Sequence, residues 1–169
     1  MSIDRKLAAW QILGVAVRSE IDAAAFYTRL QGRVKNVLLV QKLKFLALEE
    51  DHHKKILEHL LAQRYPDKPT DVPASSLMPP IGVSLPADPT VPALFEAALE
   101  AEEIAEAYYN DAAKRVEDEA GRRILAYLGR VERSHQAMIK SELGLIRKFP
   151  DYYSVEDFHI AQDLFHVGP

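Results

Sequence analysis

Apolar residues recur at helical spacing in two long stretches of this chain, and the stretch between them is too rich in proline to be helical. From about Asp4 to Leu61 the only helix breakers are Gly14 and Gly32. Leu13, Ala16, Val17, Ala23, Ala24 and Tyr27, then Leu43, Leu46, Ala47 and Leu57, share helical faces. The pattern predicts a long helix ending near Gln31, a tight turn through Gly32–Asn36, and a second long helix ending near Ala62. Residues from about Thr90 to Phe149 repeat the plan, with Thr90 or Asp88 as cap, Pro92 in the first turn and a second turn near Glu117–Gly121. The chain therefore reads as all-α, two helical hairpins in series.

Between the hairpins, about residues 63–92 hold eight of the ten prolines, which argues for extended or polyproline-like chain. Loops this long are unusual inside a compact domain, but this one has a use. Helices of roughly 27 residues are roughly 40 Å long, and about 30 extended residues at roughly 3.3–3.6 Å each cover that length with slack. The connection can carry the chain back along the bundle, leaving helices 2 and 3 parallel in a ferritin-like, one-crossover four-helix bundle. A loose tether between independent hairpins is the other reading, and it leaves two apolar faces uncovered. Residues 1–149 are taken as the bundle and 150–169 as a C-terminal tail, with Tyr152, Tyr153, Phe158 and Phe165 in a polar background. The tail is expected to dock on the bundle or on a partner subunit.

Composition narrows the function classes. A chain of 169 residues is one domain with room for a sizeable core. Its net charge of −4 leaves no electrostatic footprint for nucleic acid or an anionic membrane. The absence of cysteine rules out thiol catalysis, iron–sulfur ligation and any rubredoxin or zinc-ribbon module in this sequence. The apolar run Leu7–Val17 is interrupted by Gln11 and has no small-residue cleavage site, and it is far shorter than a membrane span. It reads as the first helix of a cytoplasmic protein.

The candidate chemistry lies in an internal repeat. Glu20 and Glu102, Glu50 and Glu132, His53 and His135, and Tyr27 and Tyr109 all stand 82 residues apart. Ala16/Ala98, Ala23/Ala105, Leu43/Leu125, Leu46/Leu128 and Leu61/Leu143 coincide at the same offset, so the hairpin is duplicated. Each half supplies one glutamate and then a Glu-x-x-His pair, the ligand set of a carboxylate-bridged di-iron or di-manganese centre in a helical bundle. Glu20 and Glu50 are equally far from the first turn, as Glu102 and Glu132 are from the second, so four carboxylates converge on one layer. His53 and His135 follow a glutamate by three residues and share its face. Four ionised carboxylates in a core repel one another and lack solvation. No lysine or arginine stands among the inward neighbours, and Lys54 reaches only the edge. Two divalent cations would balance the charge. The alternative is a polar layer held by hydrogen bonds and partial protonation.

Oxygen-rich ligands with a little imidazole suit iron, or manganese, better than zinc or copper. Tyr27 and Tyr109 lie two turns beyond Glu20 and Glu102. Their hydroxyls either bond a metal-bound glutamate, orienting it, or reach the surface. Glu49 and His52 form a further Glu-x-x-His pair, rotated about 100° away and matched at the offset only by Val131 and Ser134. Glu103 and Glu106 read as solvated, although Glu106 is close enough to Glu102 to act as a spare ligand.

The blocks Glu20–Tyr27 (EIDAAAFY) with Leu46–His53 (LALEEDHH), and Glu102–Tyr109 (EEIAEAYY) with Leu128–His135 (LGRVERSH), resemble the rubrerythrin-like branch of the ferritin-like superfamily. The resemblance covers roughly residues 5–148. It implies a di-iron centre ligated by Glu20, Glu50, His53, Glu102, Glu132 and His135, with reduction of hydrogen peroxide or oxygen, oxidation of Fe(II), or iron storage as the activity, and a homodimer as the common assembly. Without a rubredoxin module, electrons would come from an external donor protein or from Fe(II). Rubrerythrin carries an extra carboxylate one turn beyond the third-helix ligand, where this chain has Ala105. A scaffold with a vestigial metal site is the reading from a different class.

Overall fold

A computed structural model of the protein describes residues 7–68, 72–74 and 89–149. These form four helices, α1 (Ala9–Gln31), α2 (Val37–Arg64), α3 (Val91–Arg115) and α4 (Glu119–Lys148), with no strand among the described residues. The path of the proline-rich crossover, apart from its ends and residues 72–74, and the docking of the tail 150–169 lie outside the described residues.

Local chemistry sets the helix starts. The Asn36 side chain accepts the N–H groups of Leu38 (3.0 Å) and Leu39 (3.2 Å), satisfying donors the helix itself leaves open. Thr90, rather than Asp88, caps α3 by accepting from Ala93 N–H at 3.4 Å, and Pro92 sits in the first turn. Asp118 caps α4 through Gly121 N–H at 2.7 Å. The second turn is tighter than the sequence indicates, because α3 runs to Arg115 and only Val116, Glu117 and Asp118 separate it from α4. Val116 is buried in the core and anchors that turn.

Helix directions follow from contacts at opposite ends. Tyr108 donates to the Ile12 carbonyl at 2.7 Å, and Tyr27 donates to Glu102, so α1 and α3 run antiparallel. Lys42 pairs with Glu142 and Arg64 with Asp118, so α2 and α4 do too. Each hairpin is antiparallel by construction. Helices α2 and α3 are therefore parallel, and the connection between them must return the full length of the bundle. Helix α1 packs on α2 and α3, and α4 packs on the same two, with α1/α4 and α2/α3 on the diagonals. This is the ferritin-like four-helix bundle.

Two apolar clusters fill the ends of the bundle. One contains Leu13, Ala16, Val17, Leu57, Leu61, Leu125 and Leu128, the other Leu30, Leu39, Leu43, Leu46, Phe95, Ala98 and Leu143. The apolar run near the N-terminus is absorbed here, with Ile12, Leu13, Val15, Ala16 and Val17 each at most 3 % exposed. No helix among the described residues is long and apolar enough to cross a membrane.

Candidate metal centre

Between the two apolar clusters lies a polar layer. Glu20 comes from α1, Glu50 and His53 from α2, Glu102 from α3, and Glu132 and His135 from α4, and none of the six is more than 3 % exposed. Each is placed by its register on the inner face. Leu43, Leu46 and Leu57 hold Glu50 and His53 inward on α2, and Leu125, Leu128 and Ile139 do the same for Glu132 and His135 on α4.

The ligand atoms group into two overlapping clusters, Glu20–Glu50–His53–Glu132 and Glu50–Glu102–Glu132–His135, each with its atoms within 4.8 Å of one another. Glu50 and Glu132 belong to both. His53 Nδ1 lies 3.1 Å from Glu50, 3.3 Å from Glu132 and 3.5 Å from Glu20. His135 Nδ1 lies 3.3 Å from Glu132 and 3.4 Å from both Glu50 and Glu102. The imidazole rings stack with centroids 5.7 Å apart.

Several of these atoms have no hydrogen-bond partner: Glu50 Oε1, both carboxylate oxygens of Glu132, and His135 Nδ1 are buried and unsatisfied. Buried polar atoms left bare cost free energy. A polar layer held together by hydrogen bonds would not leave three of the four oxygens of its two central carboxylates unbonded, with only Glu50 Oε2 paired, to His53 Nδ1 at 3.1 Å. A cation in each cluster satisfies these atoms, and a set of four carboxylates with two imidazoles neutralises two divalent ions. The donor set therefore fits two ions of the iron or manganese class.

Without metal, protons must do the neutralising. Burial, with Glu50 beside it, raises Glu20 well above the usual carboxylate range. Burial and the neighbouring Glu132 push Glu102 up to about 8, although His135 opposes them. Burial works in the same direction on Glu50 and Glu132, but in both the two histidines outweigh it and hold the carboxylate below its usual value. Burial lowers His135, yet Glu102, Glu132 and Glu50 around it hold it up to about 12, and His53 is raised for the same reason. Two ionised glutamates, two protonated ones and two imidazoliums leave the layer neutral.

The tyrosines cross between the repeats. Tyr27 of α1 donates to Glu102 of α3, and Tyr109 of α3 donates to Glu20 of α1. Both hydroxyls are thus committed to the candidate ligands and do not reach the surface. Burial and the charge of Glu102 raise Tyr27 well above its ordinary value, so it keeps its proton and remains a donor. Replacing Tyr27 by phenylalanine is expected to strip Glu102 of this bond and to destabilise the metal-free fold by about 1–3 kcal/mol, read from denaturant unfolding.

Glu106 does not turn into the layer. It accepts from Arg133 Nε at 2.8 Å and from Gln136 Nε2 at 2.7 Å, and Arg133 chiefly holds its carboxyl below the usual range. Gln136 also reaches the Glu102 carbonyl at 3.3 Å, tying α4 to the backbone of the third-helix glutamate. Sequence reasoning missed Gln136. The one signal was its place beside His135, and at the repeat offset it faces Lys54, which instead pairs with Asp51 at 2.9 Å on the bundle edge. Glu49 and His52 lie on the outside at 3.4 Å from each other, apart from the layer, and His59 is exposed. Ala23 and Ala105, one turn from Glu20 and Glu102, are half-buried.

The family comparison agrees with this geometry. The rubrerythrin family model matches residues 11–143, and the chain belongs to that family. A solved structure described as a hypothetical protein from Pyrococcus furiosus is similar at 29 % identity and a TM-score of 0.74, covering 88 % of this chain and 97 % of its own. No curated protein matches significantly.

Proposed function

We propose that the protein is a cytoplasmic non-haem di-iron oxidoreductase of rubrerythrin type. It would reduce hydrogen peroxide or oxygen, or oxidise Fe(II), at the Glu/His layer, and take its electrons from an external donor protein or from Fe(II) itself. The observation that carries this reading is the pair of overlapping clusters, in which Glu50 and Glu132 are common to both and their bare oxygens face inward. Two Fe(II) ions held there would supply the two electrons that take peroxide to water or oxygen to peroxide.

The chain's own residues divide the remaining work. Glu20 with His53, and Glu102 with His135, would complete one ion each, while Glu50 and Glu132 would serve both. Tyr27 and Tyr109 act as positioning residues: each donates a hydrogen bond that fixes the terminal glutamate of the opposite repeat. Gln136 restrains α4 against the Glu102 backbone. The apolar clusters above and below exclude water from the layer. A homodimer is the assembly proposed, on the family resemblance.

Metal content on protein purified without chelators tests the proposal, followed by the absorption spectrum of the anaerobically iron-loaded form as peroxide is added. Two irons per chain that oxidise in step with peroxide are expected. Protein that stays metal-free after loading would overturn the oxidoreductase and iron-storage readings together.

A further inference from the structure

The bundle is polar on some of its outer surfaces and apolar on one. All the large apolar side chains left exposed among the described residues belong to α2, α4 or Phe149, the residue that closes α4, and none belongs to α1 or α3. Phe45 and Leu48 on α2, Tyr127 on α4 and Phe149 are each about half exposed (50 %, 52 %, 50 % and 49 %). The Lys42–Glu142 pair marks the seam where α2 meets α4. Phe45 lies one turn on from Lys42 and Ile56 two heptads on, while Leu145 and Phe149 lie one and two turns on from Glu142. They line one face along that seam and are not scattered singly, which is the arrangement of a covered surface. The α3–α4 edge differs, being laced by Arg133–Glu106, Lys140–Glu103 and Arg147–Glu96.

We propose that this face is covered by the chain's own residues 150–169. The polypeptide leaves the bundle on the face itself, at Phe149, whose N–H closes α4 on the Leu145 carbonyl at 2.8 Å. The residues that follow carry Tyr152, Tyr153, Phe158 and Phe165, enough aromatic surface to match the exposed side chains. They also carry Asp151, Glu156, Asp157 and Asp163 and no lysine or arginine. The border of the face carries exposed Lys44, Arg130 and Lys148, one turn from Leu48, Tyr127 and Leu145 respectively, and also the carboxylate of Glu49, one turn from Phe45. The carboxylate of Glu142, one turn from Leu145, is buried and paired with Lys42. The lysines and arginine of the border offer partners to this acidic chain. The chain is tethered to the face at Phe149 and so held at high local concentration there, as a second copy is not. Reach is sufficient. From Phe149 back to Tyr127 is roughly 33 Å of helix, and twenty residues extend to roughly 66 Å or more.

The absence of cysteine makes the test clean. In the full chain, Leu48→Cys places one thiol on the α2 side of the face, and Ala107→Cys places one on the exposed outer side of α3. The rate of reaction with a small water-soluble disulfide reagent is then compared. The Leu48→Cys thiol is expected to react about tenfold or more slowly than the Ala107→Cys thiol, because it must wait for local opening. Adding Phe158→Asp and Phe165→Asp should raise it to the control rate while the helical circular dichroism is unchanged. Equal rates in the two single variants would overturn the proposal. So would protection that survives the two tail substitutions, and if that protection fades on dilution, a second copy is what covers the face.

Discussion

Replacing Glu50 and Glu132 together by alanine is expected to take metal content from about two ions per chain to none, with the helical signal retained. Each of these carboxylates belongs to both clusters, so neither ion keeps more than one glutamate and one histidine. The loss should exceed the roughly 10–100-fold that removal of an outer hydrogen-bond partner costs. The fold should survive, because the two apolar clusters are untouched and three of the four carboxylate oxygens removed already lack partners. Iron per chain after anaerobic loading and desalting reads the result. Replacing Glu49 and His52, the same residue types on the outer face, should leave two ions bound. If the first variant kept its metal, the Glu/His layer would not be the centre.

The second large effect is a change in the sign of pH dependence on metal removal. In the metal-free protein Glu102 titrates near 8 and His135 near 12, both above their ordinary values. The folded layer therefore holds more protons than the unfolded chain across the neutral range, and linkage makes stability fall as pH rises. The contribution of His135 is fully present below about pH 6.5, its ordinary value, and that of Glu102 below about pH 4.5. Both decline as pH climbs toward the folded values. The metal-free melting temperature should accordingly drop between about pH 5 and pH 8. Metal binding requires these ligands to give up their protons, so the loaded protein should bind more tightly and melt higher over the same interval. Parallel thermal melts with and without chelator distinguish the two. A metal-free protein that gains stability toward pH 8 would contradict the protonated layer.

Much of the centre was legible because helix periodicity is local. Glu50 and His53 share a face whatever surrounds them, and the 82-residue offset repeats that face with the same residue types at Glu132 and His135. Equal distances from the turns put Glu20 level with Glu50, and Glu102 level with Glu132. The proline-rich stretch was long enough to bring α2 and α3 parallel, and the apolar faces left bare by a loose tether favoured that reading. Glu106 shows where such reasoning stops. Its place near Glu102 left it readable either as solvated or as a spare ligand, and Arg133 and Gln136 on α4 take its carboxylate. Nothing within α3 records that competition.

By itself, then, the sequence determined the four helices, the duplication, the six inward-facing ligand candidates and the single crossover, since each depends on spacing along one chain segment. Tertiary structure alone decided which helices are neighbours. Packing α1 on α3 antiparallel sends Tyr27 to Glu102 and Tyr109 to Glu20, so each repeat supports the other's glutamate and not its own. The same packing makes Glu50 and Glu132 common to both clusters, and leaves the α2–α4 seam as the apolar face. The physical reason is that a helix specifies the direction of its side chains but not the identity of what they meet. That is set by how the apolar stripes of all four helices close together.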